Sequence, residues 1–465
     1  MLSNTSSRTH RAAPCEKIRR ILVHVPSSDF SSSRNRPFSR LQRDWRSNFR
    51  HVERLRVAVP DQDAETALPD GPVQVESELL KAAKEIEPWT VSMYRELHRI
   101  PELLFDLPET SATIRRVLDE LDIPYEYPVA KCGIVATIGS GNPVVALRAD
   151  MDALPMQEPE GLDFASQNGN MHACGHDSHM AMLLGAAKLL KAREKDLNGT
   201  VRLVFQPAEE GGGGGEVMVK EGAVDGVSAM FGFHVWPTLP SGEIASRIGS
   251  ITAGTNFFDV KVTGVGGHGA MPQLNVDPWP AVAEMILAYQ TLVARETDPL
   301  ESNVVTIGWV KGGDAHNIIP QSVEMGGTMR SLQTTGIDDL ESRFVEMTEG
   351  IASAFRCKAE ISFGSHYPPT VNHEDMNNFA MDVAREVLGE AFVKEHKPSM
   401  IGEDFAYFAR KVPSAFLLVG TRNEETGSTA LLHSPHFKMD EAVLHRGAAL
   451  HTGLAMSYLQ SQGNK

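Results

Sequence analysis

Three apolar runs in this chain end the same way, and that shared ending limits the fold more than any other feature. Val144-Val145-Ala146-Leu147 leads into Arg148-Ala149-Asp150-Met151-Asp152. Val201 to Phe205 leads into Gln206-Pro207-Ala208-Glu209-Glu210, and Met230 to Phe233 leads into His234. Each run has the length of a strand buried on both faces, where polar alternation is not needed. Helical patterns lie between them, chiefly His179 to Leu190. Strands alternating with helices predict a mainly parallel α/β sheet. Ligands of such sheets bind beyond the carboxyl ends of the strands, so Asp150, Glu209, Glu210 and His234 are expected at one shared site.

At 465 residues the chain is too long for one core. Apolar spacing predicts helices over Glu76–Arg99, stopped by Ile100-Pro101, and over Ser111–Leu121. The period changes at Asn256. Phe258, Val260 and Val262 alternate with Asp259, Lys261 and Thr263, the mark of a strand with one buried face. A helix from Pro278 to Ala294 follows, then strands over Val304–Val310 and Val323–Arg330. A helix over Ile337–Phe355 and a strand over Ala359–Phe363 complete the order β-α-β-β-α-β, that of a ferredoxin-like unit. Residues 255–366 are therefore expected to be a small domain inserted in a larger one. Residues 75–254 and 367–465 would form that larger domain, with a helix at Met376–Leu388 and a strand at Ala415–Gly420.

Residues 1–74 form a separate basic tail. Its first 60 residues hold thirteen Lys and Arg against four Asp and Glu, in a chain of net charge −16. An Arg- and Ser-rich, acid-poor segment reads as a transit peptide to plastid or mitochondrion. A disordered basic tail on a cytoplasmic protein is the alternative. The final residues do not form an ER-retention tetrapeptide, and no run approaches a membrane span. The acidic balance argues against nucleic acid as a partner.

Four cysteines, Cys15, Cys132, Cys174 and Cys357, are too sparse for a disulfide framework. Cys132 and Cys357 read as small buried residues. Cys174 differs: it lies in Met171-His172-Ala173-Cys174-Gly175-His176-Asp177-Ser178-His179. Gly175 lets the backbone turn so that Cys174 and His176 can face one point. A helix should start near Asp177, a favoured cap, with His179 in its first turn. Thiolate and imidazole are metal donors. His172 and His179 can be ligands or can orient ligands. Of the adjacent Glu209 and Glu210, one can bind metal while the other stays free to move a proton. His234 is a further ligand candidate, and one of His433 and His436 is expected to close the site. His268, between glycines, can polarise a substrate carbonyl. Arg330 can clamp a carboxylate, with Asn317 adding a bond.

Together these strings resemble the M20 metallopeptidase superfamily. The resemblance is to its amidohydrolase branch of plant auxin–amino acid conjugate hydrolases, hippurate hydrolases and aminoacylase-like enzymes. The matching strings are Leu147-Arg148-Ala149-Asp150-Met151-Asp152-Ala153-Leu154-Pro155, His172 to Asp177, Gln206 to Gly212, Gly267-His268-Gly269-Ala270, Asn317-Ile318-Ile319-Pro320 and His433-Ser434-Pro435. The resemblance implies a catalytic α/β domain with a two-metal centre and a smaller lid. It implies Cys174, His176, Glu210, His234 and His433 as metal ligands and Glu209 as general base. His268, Asn317 and Arg330 would contact the substrate, an N-acyl amino acid. In related dimers the lid histidine can come from the partner subunit, so a homodimer is possible. Two divalent ions are implied, Mn²⁺ first, with Zn²⁺, Co²⁺ or Ni²⁺ as alternatives. Competing readings are a deacetylase or carboxypeptidase with the same chemistry, a non-catalytic amino acid-binding protein, and a thiol sensor built on Cys174.

Overall fold

The computed structural model describes residues 77–463 except 160 and 365. The expectations for the basic tail and Cys15 lie outside the described residues. The first helical pattern divides into Glu78–Glu85 and Glu87–His98, which meet at Ile86 (φ −93°, ψ 2°). Pro88 explains the break, because proline without an N–H is tolerated only in a first turn, where it starts a helix anew. The next helix runs Pro108–Glu120, again with proline at its start.

The large sheet has eight strands. Their spatial order is Tyr125–Val129, Gly133–Gly139, Thr200–Gln206, Val144–Asp150, Ala229–Pro240, Ser414–Arg422, Ile244–Ser246 and Val393–Glu395. The central four strands are parallel, as expected. The sheet as a whole is mixed, because a hairpin adds two antiparallel strands at one side and Ile244–Ser246 pairs antiparallel near the other. Side-chain parity separates its faces. Val145, Leu147, Ala149, Leu203, Phe205, Phe231 and Phe233 pack under the helices His176–Lys191 and Leu444–Gly463. Ala146, Val204, Met230, Phe416 and Leu418 pack on the other face with Phe405 and Phe408 of the helix Phe405–Lys411. Burial on both faces is why these strands read as unbroken apolar runs.

A second sheet is fully antiparallel. Its strands lie in the order Asn303–Gly312, Ser322–Ser331, Gly254–Thr263 and Lys358–Phe363. The helices Pro278–Thr291 and Gly336–Ala354 supply the chain order β-α-β-β-α-β. Phe258, Val260 and Val262 turn inward with Tyr289, Phe344 and Met325 to form a core of their own. This sheet joins the body where Thr255 and Tyr367 exchange two backbone hydrogen bonds of 2.7 and 2.9 Å. Among the described residues, no helix is long and apolar enough to cross a membrane.

Candidate metal centre

The strand ends meet as the sequence predicts, and hydrogen bonds decide what each group can do. Gly175 is left-handed (φ +84°) and caps the helix His176–Lys191. The expected capping residue, Asp177, instead lies inside the first turn. A side chain at Gly175 would be strained, and its Cβ would fall 2.4 Å from Val235 Cγ2. The turn aims Cys174 and His176 inward. The Nδ1–H of His176 donates to the Asp152 carbonyl at 2.8 Å, and Nε2 is buried without a hydrogen bond. The Nδ1–H of His234 donates to the Val235 carbonyl at 2.8 Å, leaving Nε2 at 3.4 Å from Cys174 Sγ. Both rings thus have Nδ1 fixed by the backbone and Nε2 turned into the cluster, where His234 Nε2 accepts from the Cys174 thiol; this is the arrangement of a metal-ligating imidazole.

His179 is different. Its Nε2 accepts from the Val235 N–H at 2.9 Å, so its Nδ1–H must donate to Asp150 Oδ1, 2.5 Å away. With both nitrogens used, His179 orients Asp150 rather than a cation. His172 is buried and neither ring nitrogen has a hydrogen bond; burial pushes it down to about 4, so it is neutral.

Two groups of donor atoms share one thiol. Cys174, His176 and His234 form one, and Cys174, Glu210 and His433 form the other, with the donor atoms of each within 4.8 Å of one another. His433 Nε2 lies 3.2 Å from Glu210 Oε1, while the His433 N–H is held by the Ala173 carbonyl. Both His433 and His436 are exposed, but His433 is the one whose ring reaches Glu210 and so faces the cluster. Burial opposes a charge on His176, yet Asp150, Asp152 and Glu210 outweigh it and carry the ring up to about 10. A cluster that favours positive charge this strongly, with two imidazoles and a thiol turned toward one another, fits divalent cations, which would displace the protons these groups hold.

The adjacent carboxylates differ in their surroundings. Burial pushes Glu209 well up, and Glu403, Glu210, Asp404 and Asp150 add to it by repulsion. Burial also opposes a charge on Glu210, but His433 and His176 outweigh it and hold Glu210 below the usual range. Two neighbouring acids driven apart in this way divide into a proton carrier and an anion. Asp152 holds the loop beneath them, accepting the Glu209 N–H at 2.9 Å and the Glu210 N–H at 3.1 Å.

Sequence reasoning missed the support under this site. Fully buried Arg148 donates to Gln206, Asp150, Glu403 and Asp404 at 2.8 to 3.1 Å. Glu403-Asp404 precedes an apolar helix, which reads as an exposed cap. Only the fold shows that the pair is buried against Arg148. His98 was also missed. It donates to Asp177 at 2.6 Å and Glu158 at 2.9 Å, tying the metal-site helix to the N-terminal pair.

The second sheet separates its three candidates. His268 and Asn317 are neighbours on a small ribbon, where the Gly269 N–H donates to the Asn317 carbonyl at 2.8 Å. Both are exposed, and neither bonds to the cluster. Arg330 sits opposite Thr255, at the end of the sheet joined to the body. The ten-residue strand Gly254–Thr263 puts roughly 30 Å between that end and the ribbon. Arg330 is half-buried and its guanidinium lies 5.7 Å from the Phe257 ring centre. Its guanidinium donates to the Met329 carbonyl at 2.9 Å, and it has no ion pair among the described residues.

A covered α/β sheet whose strand ends gather a thiol, imidazoles and split carboxylates has the donor set and the proton carrier that metal-dependent hydrolysis requires. The model of peptidase family M20/M25/M40 matches residues 146–457. IAA-amino acid hydrolase ILR1-like 2 of Arabidopsis thaliana is 44% identical over 402 residues, covering 84% of this chain and 90% of that protein. N-acetyl-L-cysteine deacetylase of Bacillus subtilis is 38% identical over 362 residues, covering 77% and 85%. A dinuclear metal-binding M20 peptidase from Bacillus subtilis superposes with a TM-score of 0.70 at 35% identity, covering 81% of this chain and 99% of that one. The chain belongs to the M20 family.

Proposed function

We propose that this M20 hydrolase cleaves the amide bond of N-acyl amino acids, releasing a free acid and an amino acid. Auxin (IAA)–amino acid conjugates are the first substrates to test. The observation that carries the reading is the division between Glu209 and Glu210 beside a thiol shared by two donor groups. Cys174, His176 and His234 would hold one divalent cation; Cys174, Glu210 and His433 would hold a second, with Mn²⁺ ahead of Zn²⁺, Co²⁺ or Ni²⁺. Bound there, the cations would acidify the attacking water and polarise the amide carbonyl. Glu209 accepts a proton from that water and returns it to the leaving nitrogen. Arg330, which has no acid partner among the described residues, holds the substrate carboxylate and so orients the amide.

The strand order of residues 255–366 supports reading them as a ferredoxin-like lid. Distance within one chain supports a homodimer, in which His268 and Asn317 reach a second copy's site. The likeness to a deacetylase favours a second reading: the same chemistry with a small acyl group. Metal-stripped enzyme, restored with each ion and assayed on a panel of N-acyl amino acids, tests both readings. Turnover restricted to indole-acyl conjugates supports the first, and turnover restricted to N-acetyl substrates the second. Absence of metal-dependent turnover on the whole panel would overturn both.

A further inference from the structure

The loop that carries Glu209 and Glu210 is not regular structure. Ala208 has φ +56°, Gly211 +97° and Gly213 +65°, so no helix or strand ladder sets its shape. Two side chains hold it instead. Asp152 does so from the body. From the other side the Tyr367 hydroxyl donates to the Glu209 carbonyl at 2.7 Å. It also accepts the N–H groups of Gly211 and Gly213 at 3.0 and 3.1 Å. One hydroxyl thus spans the turn that presents both carboxylates.

Tyr367 is buried, and its ring meets Tyr407 edge-on at 6.3 Å. Burial, with Asp404 and Glu209 nearby, pushes the phenol up, so it remains a donor. Its backbone has a second role. It is bonded in both directions to Thr255, the residue opposite Arg330, at the point where the second sheet leaves the body. The same residue therefore joins the second sheet to the body through its backbone and reaches the Glu209 loop through its side chain.

We propose that Tyr367 is a positioning residue that sets the Glu209 loop and couples it to the junction of the second sheet. This rests on the reading of Glu209 as the proton carrier. The test compares Tyr367→Phe, Glu209→Gln and Tyr407→Phe in metal-loaded enzyme. The Tyr407 hydroxyl bonds to the His366 carbonyl and not to the loop, so Tyr407→Phe controls for packing.

Tyr367→Phe should lower kcat by roughly ten- to a hundredfold with KM within about twofold. Metal content and Tm should hold. Amide exchange in the peptide covering residues 209–215 should quicken, while Tyr407→Phe leaves both kcat and exchange near wild type. Unchanged kcat and exchange in Tyr367→Phe, with Glu209→Gln inactive, would overturn the role of Tyr367 alone. An active Glu209→Gln would instead overturn the proton-carrier reading. Should Tyr367→Phe fail to fold, a ring-fluorinated tyrosine at 367 keeps shape and hydroxyl but alters the donor. A kcat change at constant Tm supports the role, and an unchanged kcat overturns it.

Discussion

At the scale of single residues, hydrogen bonds separate ligand from support among groups that look alike in sequence. His176, His179 and His234 are all buried at the strand ends, but only His176 and His234 turn Nε2 into the thiol cluster, whereas His179 has both nitrogens bound to Asp150 and Val235. Cys174 is the most exacting member. Burial pushes its thiol well up, with Glu210, Glu209 and Asp150 adding to it. It therefore binds a cation only by giving up a proton. Metal titration by calorimetry in buffers of different ionisation heat should reveal that release, and Cys174→Ser should reduce it, the remainder coming from His176. A cobalt-loaded wild type should show a thiolate-to-metal absorption band that Cys174→Ser lacks. For Glu209→Gln the expectation is full metal content with kcat down by about 10²–10⁴-fold. Near-normal turnover would refute its role. Arg330→Ala should raise KM for substrates with a free carboxylate and leave esterified ones little changed; equal effects on both would argue against the clamp.

At the scale of elements, the N-terminal helix pair fastens the helix that carries His176. Burial opposes the charge of His98, but its hydrogen bonds to Asp177 and Glu158 outweigh this and carry it up to about 9. A folded-state pKa above the unfolded one gives stability that is complete below about 6.5 and lost as pH rises through about 9. The contribution is at most about 3 kcal/mol. Urea midpoints should therefore fall across that window in the wild type, and His98→Asn should make the slope shallower. A wild-type midpoint that stays flat there would count against the assignment. Element types were legible because period and length decide them: Phe258, Val260 and Val262 could only be a strand with one buried face. The break at Ile86 was signalled by Pro88 but hidden by apolar spacing that runs on across it.

At the scale of the whole molecule, His268 and Asn317 stand far along the second sheet from Arg330, and this leads to a test of assembly. If His268 works on a second copy, mixing the inactive variants His268→Ala and Glu209→Gln should restore roughly a quarter of wild-type activity, the share of sites that draw both intact residues from a random dimer. Coupled-subunit exchange followed by assay checks this. No recovery, with mixed dimers present by mass spectrometry, would place His268 within its own subunit's reaction or outside it.

The sequence by itself determined the α/β character, the β-α-β-β-α-β order after Asn256 and the identity of the clustered thiol, imidazoles and carboxylates. These depend on local period and on residue chemistry, which are written along the chain. Only the tertiary structure decided that His179 is spent on Asp150 and that Arg148 neutralises a buried acid pair contributed from residues 403 and 404. The link from Tyr367 to the Glu209 loop across 158 positions also appeared only there. Such roles depend on which lone pair is already taken and which charge is already paired, and packing of distant segments settles both.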